Sequence, residues 1–332
     1  MARAESGLDA EALRRTQRAM GLVLLATLPG VLALLWLHGW GTLFTLLLAN
    51  TSALGCEALL LRLRQRPSAA ALDGSALVSA TLLALALPPY SPWWLTLTAI
   101  GFAIAFGKQL FGGLGKNPFN PAMLGYALAL LAFPQQMTQW PASPGPGFLD
   151  GLQQILGMSS ALPDAWTQAT ALDVLRVDKS LTMDELFAGH PSFGQVAGRG
   201  AELVNLAFLA GGLFLLQRRL YGWHAPLGML AGLFVMSLLF WNGSGSDSHG
   251  SPLFQLLSGA TMLGAFFIVT EPVSGADSPR ARLLFGLGVG VLTYVIRAWG
   301  GYPDGLAFAV LLMNLLVPTL ERIAVRRAGE TP

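Results

Sequence analysis

The stretch MGLVLLATLPGVLALLWL, residues 20–37, decides the fold. It carries no charge, and roughly 20 apolar residues in helical form cross the hydrocarbon core of a bilayer. A cleaved signal peptide would be followed by a polar mature chain. Here a second block, TLFTLLLANTSALGCEALLL at residues 42–61, follows at once, so the first reads as a retained span.

Working outward, further apolar blocks fall at residues 76–87, 93–110, 122–133, 203–216, 227–241, 256–269, 283–295 and 306–320. They are Leu/Ala/Gly runs without the alternation of a barrel strand. Only helices and closed barrels satisfy every backbone polar group in lipid, so the expectation is an all-α polytopic membrane protein of about ten transmembrane helices. Of the 332 residues, 53% are hydrophobic and 11% charged; a soluble domain carries about 25% charged residues. The net charge of +2 gives no reason to expect a nucleic-acid partner. The single cysteine, Cys56, excludes an internal disulfide and a cluster held by this chain's own thiolates. The four histidines stand far apart without ligand spacing.

Lysine and arginine mark the cytoplasmic side. Sixteen of the 20 basic residues lie in the N-terminal segment, in alternate loops (Arg62 to Arg66, Lys108 and Lys116, Arg218 and Arg219, Arg280 and Arg282) and in the tail. This alternation places both termini in the cytoplasm. It places the long polar stretch after residue 134 outside, in the periplasm of a Gram-negative host. The expected organisation is a cytoplasmic segment 1–19, a first membrane half 20–134, a periplasmic loop 135–201, a second membrane half 202–321 and a cytoplasmic tail 322–332.

The two halves share ordered landmarks. Ser79-Ala80-Thr81-Leu82-Leu83 answers to Gly259-Ala260-Thr261-Met262-Leu263, and Lys108 with Gly112-Gly113 answers to Arg297 with Gly300-Gly301. Each pair is followed by a Pro/Gly-rich loop and a helix closed by proline. An offset of five spans inverts the second copy, so two inverted five-helix repeats are expected, an arrangement found around pathways at the bilayer midplane. The run from Gly112 to Pro121, GGLGKNPFNP, reads as broken helix lining a cavity, because irregular backbone at membrane depth needs protein or water around it. Ionisable residues in or beside spans are functional candidates by default: Glu57, Lys108, Glu271, Arg297 and Asp304.

The outer loop contains Asp164-Ala165-Trp166-Thr167-Gln168-Ala169-Thr170. It resembles the acceptor sequence Asp-x-x-Ser/Thr-x-Ala-Thr at which a flavin transferase attaches FMN, although the commoner form has glycine at the position of Gln168. The resemblance makes Thr170 the acceptor, with Asp164, Thr167 and Ala169 as the rest of the motif. Ser258-Gly259-Ala260-Thr261 matches the core of the pattern but lacks its aspartate, Gln255 standing there; Thr261 reads as a small residue for close helix packing. The runs Gly112 to Met123, Phe133 to Thr138, Leu257 to Pro272 and Gly300 to Gly305 resemble the RnfD family, a membrane component of the Rnf ion-translocating electron-transport complex. The NqrB component of the sodium-translocating NADH:quinone reductase is similar at greater distance.

That resemblance implies a flavoprotein subunit in the bacterial inner membrane. It would belong to a complex that couples ferredoxin/NAD-type electron transfer to the movement of sodium ions or protons, and would not be catalytic alone. It implies FMN joined to Thr170 through a phosphoester and a second, noncovalent flavin (riboflavin). The implied partners are small membrane subunits and a flavin-bearing periplasmic subunit. Trp166 and Leu172 are expected to pack on the flavin ring. The alternative from the residues alone is an inverted-repeat channel or carrier without redox function.

Overall fold

The computed structural model describes residues 2–66, 72–143, 145–158 and 166–326. Among them the chain is helical throughout, with two isolated bridges, Pro141 to Thr167 and Phe193 to Gly198, in place of any strand. The first half comprises α1 (Ala2–His38), α2 (Trp40–Leu63), α3 (Ser75–Ala86), α4 (Trp93–Phe102), which continues as a π-helical turn over Ala103–Gln109, and α5 (Pro121–Ala132). Short helices follow: α6 (Pro134–Met137), α7 (Phe148–Leu156), α8 (Ala171–Val177) and α9 (Met183–Gly189). The second half comprises α10 (Ala201–Gln217), α11 (His224–Leu239), α12 (Pro252–Leu257), α13 (Thr261–Leu263) with its π-helical continuation Gly264–Ile268, α14 (Pro279–Trp299) and α15 (Leu306–Arg326).

Four helices are long and apolar enough to cross a bilayer by themselves: Glu11–His38, Trp40–Leu63, Pro279–Trp299 and Leu306–Ala324. Their outer surfaces are apolar too. On α1, Leu25, Leu28, Leu32 and Trp36 form an exposed stripe at helical spacing, and Trp36 is 82% exposed. A helix apolar on both its buried and its exposed faces belongs in lipid. The shorter α3 and α5 are shielded on most sides by protein, with Ala80, Leu83, Ala122 and Met123 at most 1% exposed.

Small residues set the closest approaches. Gly228 and Gly232 on α11 face Gly286 and Gly290 on α14, and a Cβ at any of the four would fall on the opposing backbone. Gly211 of α10 likewise meets the Ala26 carbonyl of α1. Such close packing holds helices together where lipid offers no hydrophobic drive.

The block at 256–269, expected as one continuous span, is interrupted at residues 258–260, between α12 and α13. Gly259 adopts φ +57°, a conformation glycine reaches without strain, and the interrupted carbonyls take side-chain donors. The polar stretch 135–201 is not a bare loop. Its α8 and α9 bury a small core of their own, in which Leu172, Leu175, Leu186 and Phe193 pack with Phe254 of α12.

Candidate functional site

The segment bearing Thr170 runs beside residues 140–142. Ala142 N donates to the Trp166 carbonyl (2.9 Å) and Gln168 N to the Trp140 carbonyl (2.8 Å). Gln168 then reaches Ser192, its Nε2 donating to Oγ (2.8 Å), and Ser192 Oγ donates to the Ala169 carbonyl (2.5 Å). These bonds deliver Thr170 to the N-cap of α8, where its Oγ1 accepts from Asp173 N (3.2 Å) and donates to the Asp173 carboxylate (2.6 Å). Thr167 pairs across the bridge with Pro141, and Asp164 lies outside the described residues.

Thr170 and Asp173 stand on the wall of a cavity of about 230 Å³ at the seam of the two halves. Apolar walls come from Leu37, Met123, Tyr126 and Phe208; polar groups come from Ser192, Arg199, Asn205 and Asp304. Leu172 lines it as expected. Trp166 does not: its ring packs edge-on to Tyr90, with centroids 5.4 Å apart, because the 140–142 pairing turns it to the other side.

The 258–260 interruption forms the floor of this cavity and is held by two polar side chains. Asn205 Nδ2 donates to the carbonyls of Leu257 (2.9 Å) and Gly259 (3.1 Å), while its Oδ1 accepts from Met262 N (3.0 Å). Arg297 donates to the carbonyls of Gln255 (2.9 Å) and Ser258 (3.3 Å), to Thr261 Oγ1 (3.0 Å) and to Asp304 (3.1 Å). Thr261 is therefore more than a packing residue, since its hydroxyl ties the interruption together. Asp304 also accepts from Ala260 N (2.9 Å) and Leu306 N (3.2 Å), capping α15.

A second cavity of about 270 Å³ lies along the same seam, toward the end of the molecule bearing Met20, Lys108 and Arg282. The GGLGKNPFNP run lines it through Leu114, Asn117 and Asn120, as its sequence predicts. Asn120 caps α5 by accepting from Met123 N (3.1 Å), and it joins the halves by donating to Asn314 (3.1 Å) and the Ile268 carbonyl (3.4 Å). Glu271, on the wall, accepts from Ser274 N (2.8 Å). Glu57 does not pair with nearby Arg62. It meets Lys108 Nζ at 2.5 Å, and that ammonium also donates to Ser75 Oγ (2.5 Å) and lies 3.7 Å from Asp73.

The bridging residues Asn205 and Asn314 are not among the candidates the sequence marks. Their only signal there is a lone carboxamide in an otherwise apolar helix.

The sequence model of the NQR2, RnfD, RnfE family matches residues 9–329. A protein of Ectopseudomonas mendocina, named as the RnfD subunit of an ion-translocating oxidoreductase complex, is 69% identical over 313 residues, covering 94% of this chain and 91% of its own. A protein of the same name from Pseudomonas aeruginosa (strain LESB58) is 69% identical over 309 residues, covering 92% and 90%. One from Cellvibrio japonicus is 49% identical over 322 residues, covering 94% and 90%.

Proposed function

The chain belongs to the NQR2, RnfD, RnfE family, and from that premise we propose that it is the membrane flavoprotein subunit of an ion-translocating oxidoreductase complex, carrying FMN on Thr170. It supports electron transfer coupled to ion movement within that complex, as the names of its relatives state for them.

The observation that carries the cofactor assignment is the place of Thr170: its hydroxyl stands on the wall of the 230 Å³ cavity. The residues present fit the group. Apolar and aromatic side chains suit a flat ring system, and Arg199 on the same wall opposes a phosphate's charge. Bound flavin supplies one- or two-electron exchange, while the protein holds and tunes it. Thr170 fixes the phosphate end, and the capped α8 fixes Thr170. Arg297, Asp304 and Asn205 hold the floor rigid beneath the ring. For a second, noncovalent flavin we assign the 270 Å³ cavity, whose Asn117, Asn120 and Thr270 offer amide and hydroxyl groups to a polar ring edge.

Orientation follows the charges. Arg64 donates to the Gln109 carbonyl and Arg66 to the Gly112 carbonyl, while Lys108 and Arg282 line the second cavity, so the basic loops gather at one end. That end is cytoplasmic in our reading, with both termini, about ten spans and the Thr170 cavity facing the periplasm across the inner membrane. Inverted halves gain support from a shared local device. Gly74 (φ +81°) precedes α3 and Gly259 (φ +57°) precedes α13, and a buried cation, Lys108 or Arg297, grips each start. The apolar outer faces of α1 and α15 are where neighbouring membrane subunits would seat.

Intact-mass measurement of the chain, purified from cells with an active flavin transferase, tests the attachment. The expected result is one FMN adduct, with in-gel flavin fluorescence abolished by Thr170→Ala. An unmodified chain, or fluorescence that survives the substitution, removes Thr170 as acceptor. Solute or ion flux by the flavin-free chain without an electron donor would favour the channel reading instead.

A further inference from the structure

Glu57 and Gln109 are 1% and 3% exposed, and they share a bond in which Gln109 Nε2 donates to Glu57 Oε1 (2.9 Å). The other oxygen of each side chain, Glu57 Oε2 and Gln109 Oε1, is buried and has no hydrogen-bond partner. Two acceptors stand bare on two groups already joined by their remaining atoms. An orphaned buried acceptor carries a penalty of roughly 1–3 kcal/mol, so this arrangement calls for a positive occupant.

The charges point the same way. Glu57 and Asp73 together have one buried ammonium, Lys108, between them. Lys108 is committed to Glu57 Oε1 and Ser75 Oγ, and Asp73 Oδ1 to Ser75 N and Oγ. The next cation, Arg64, is spent on the Gln109 backbone carbonyl at the exposed edge, and neighbouring Cys56 adds no positive charge. One negative charge is left over inside the protein, which is costly without a partner. The π-helical turn Ala103–Gln109 makes the arrangement, because its wider winding buries Gly107, Lys108 and Gln109 in succession. Ser75 and Lys108 also line the second cavity, so the site has a way in.

We propose that Glu57 and Gln109 hold one monovalent cation, a proton or an alkali-metal ion, between Glu57 Oε2 and Gln109 Oε1, with access from the second cavity past Lys108. As a proton it sits on Glu57 and is donated to the Gln109 carbonyl, closing an acid–amide ring. As an alkali ion it takes both oxygens as ligands. The site stands independently of the flavin assignment, although it gives the ion-translocating role a residue-level location.

The test uses the whole purified complex, wild type against Glu57→Gln and Gln109→Leu, with in-gel flavin fluorescence recorded alongside. Infrared difference spectra in light and heavy water read a buried protonated carboxyl, and equilibrium dialysis with radioactive sodium reads the ion. A deuterium-sensitive carboxyl band lost in Glu57→Gln identifies a proton. One sodium ion lost in that variant, with affinity in Gln109→Leu reduced by about 10-fold or more, identifies the metal ion. If Glu57→Gln does not assemble, a shifted band or weakened sodium binding in Gln109→Leu carries the same decision. Neither band nor sodium difference, in complexes that keep their flavin fluorescence, overturns the proposal. Loss of fluorescence in the wild type overturns the flavin reading alone.

Discussion

Thr170 and Asp173 form a reciprocal capping box at the start of α8, the threonine hydroxyl donating to the carboxylate at 2.6 Å while the Asp173 amide returns the bond at 3.2 Å. The proposed acceptor atom is therefore a structural donor in the unmodified chain. A phosphoester removes that proton and brings an anion beside the Asp173 carboxylate. The two states should answer oppositely to Asp173→Asn. In flavin-free protein the substitution should cost up to about 1 kcal/mol, the usual worth of a cap. In flavin-loaded protein it should relieve repulsion and raise the melting temperature. Paired thermal melts of both variants, made with and without the transferase, check the crossover.

Arg297 should be the most sensitive single position in the second half. Its side chain is 1% exposed and serves two carbonyls, a hydroxyl and a carboxylate across the 258–260 interruption. Removing one partner of a buried pair costs about 3–5 kcal/mol, and the 18% exposure of Asp304 places Arg297→Gln at the lower end. Arg297→Lys should recover little, because one ammonium cannot reproduce the planar fork. Thermal unfolding in detergent, with flavin content measured alongside, gives the comparison.

Much of this is legible residue by residue. Apart from the 258–260 interruption the ten apolar blocks fall on helical backbone, and the GGLGKNPFNP run lines a cavity because its glycines and prolines cannot continue a helix in lipid. The interruption itself is hidden, because hydrophobic periodicity does not register a left-handed glycine inside an apolar run. The Glu57–Lys108 pair is hidden too: the residues are 51 positions apart, and a π-helical turn joins them. The core of α8 and α9 is masked because their apolar residues are dispersed among charges. Thr170 emerges through resemblance; its cap, through Asp173, is visible in sequence only as a threonine followed three residues later by an acid.

The α11–α14 seam predicts a contrast between neighbouring glycines. A methyl at Gly290 would strike the Met229 backbone, which has no room to move. A methyl at Gly288 would meet the flexible end of Met313. Gly290→Ala should cost about 1–3 kcal/mol, as overpacking does, whereas Gly288→Ala should stay well below that. Melting temperatures of the two variants under identical detergent conditions decide it; equal losses would mean that the helices can part at the seam without penalty.

His249 gives the outer end a pH dependence. It lies in the segment between α11 and α12, where burial holds its pKa below the usual 6.5, nearby Lys179 lowers it further and Asp247 partly opposes both. The folded state therefore prefers the neutral ring. Above the ordinary value both states are neutral, and His249 contributes its full share to stability. As pH falls below it, the unfolded chain takes up the proton first, and stability declines until the folded ring also titrates. Melting temperature should fall on acidification across the lower part of the range from about pH 8 to 5. Replacement of His249 by glutamine should flatten that slope and leave the high-pH value nearly unchanged, since the ring's polar neighbour in the structure, Gln255 Nε2, bonds the His249 carbonyl rather than the imidazole. An unaltered slope would assign the titration to another group.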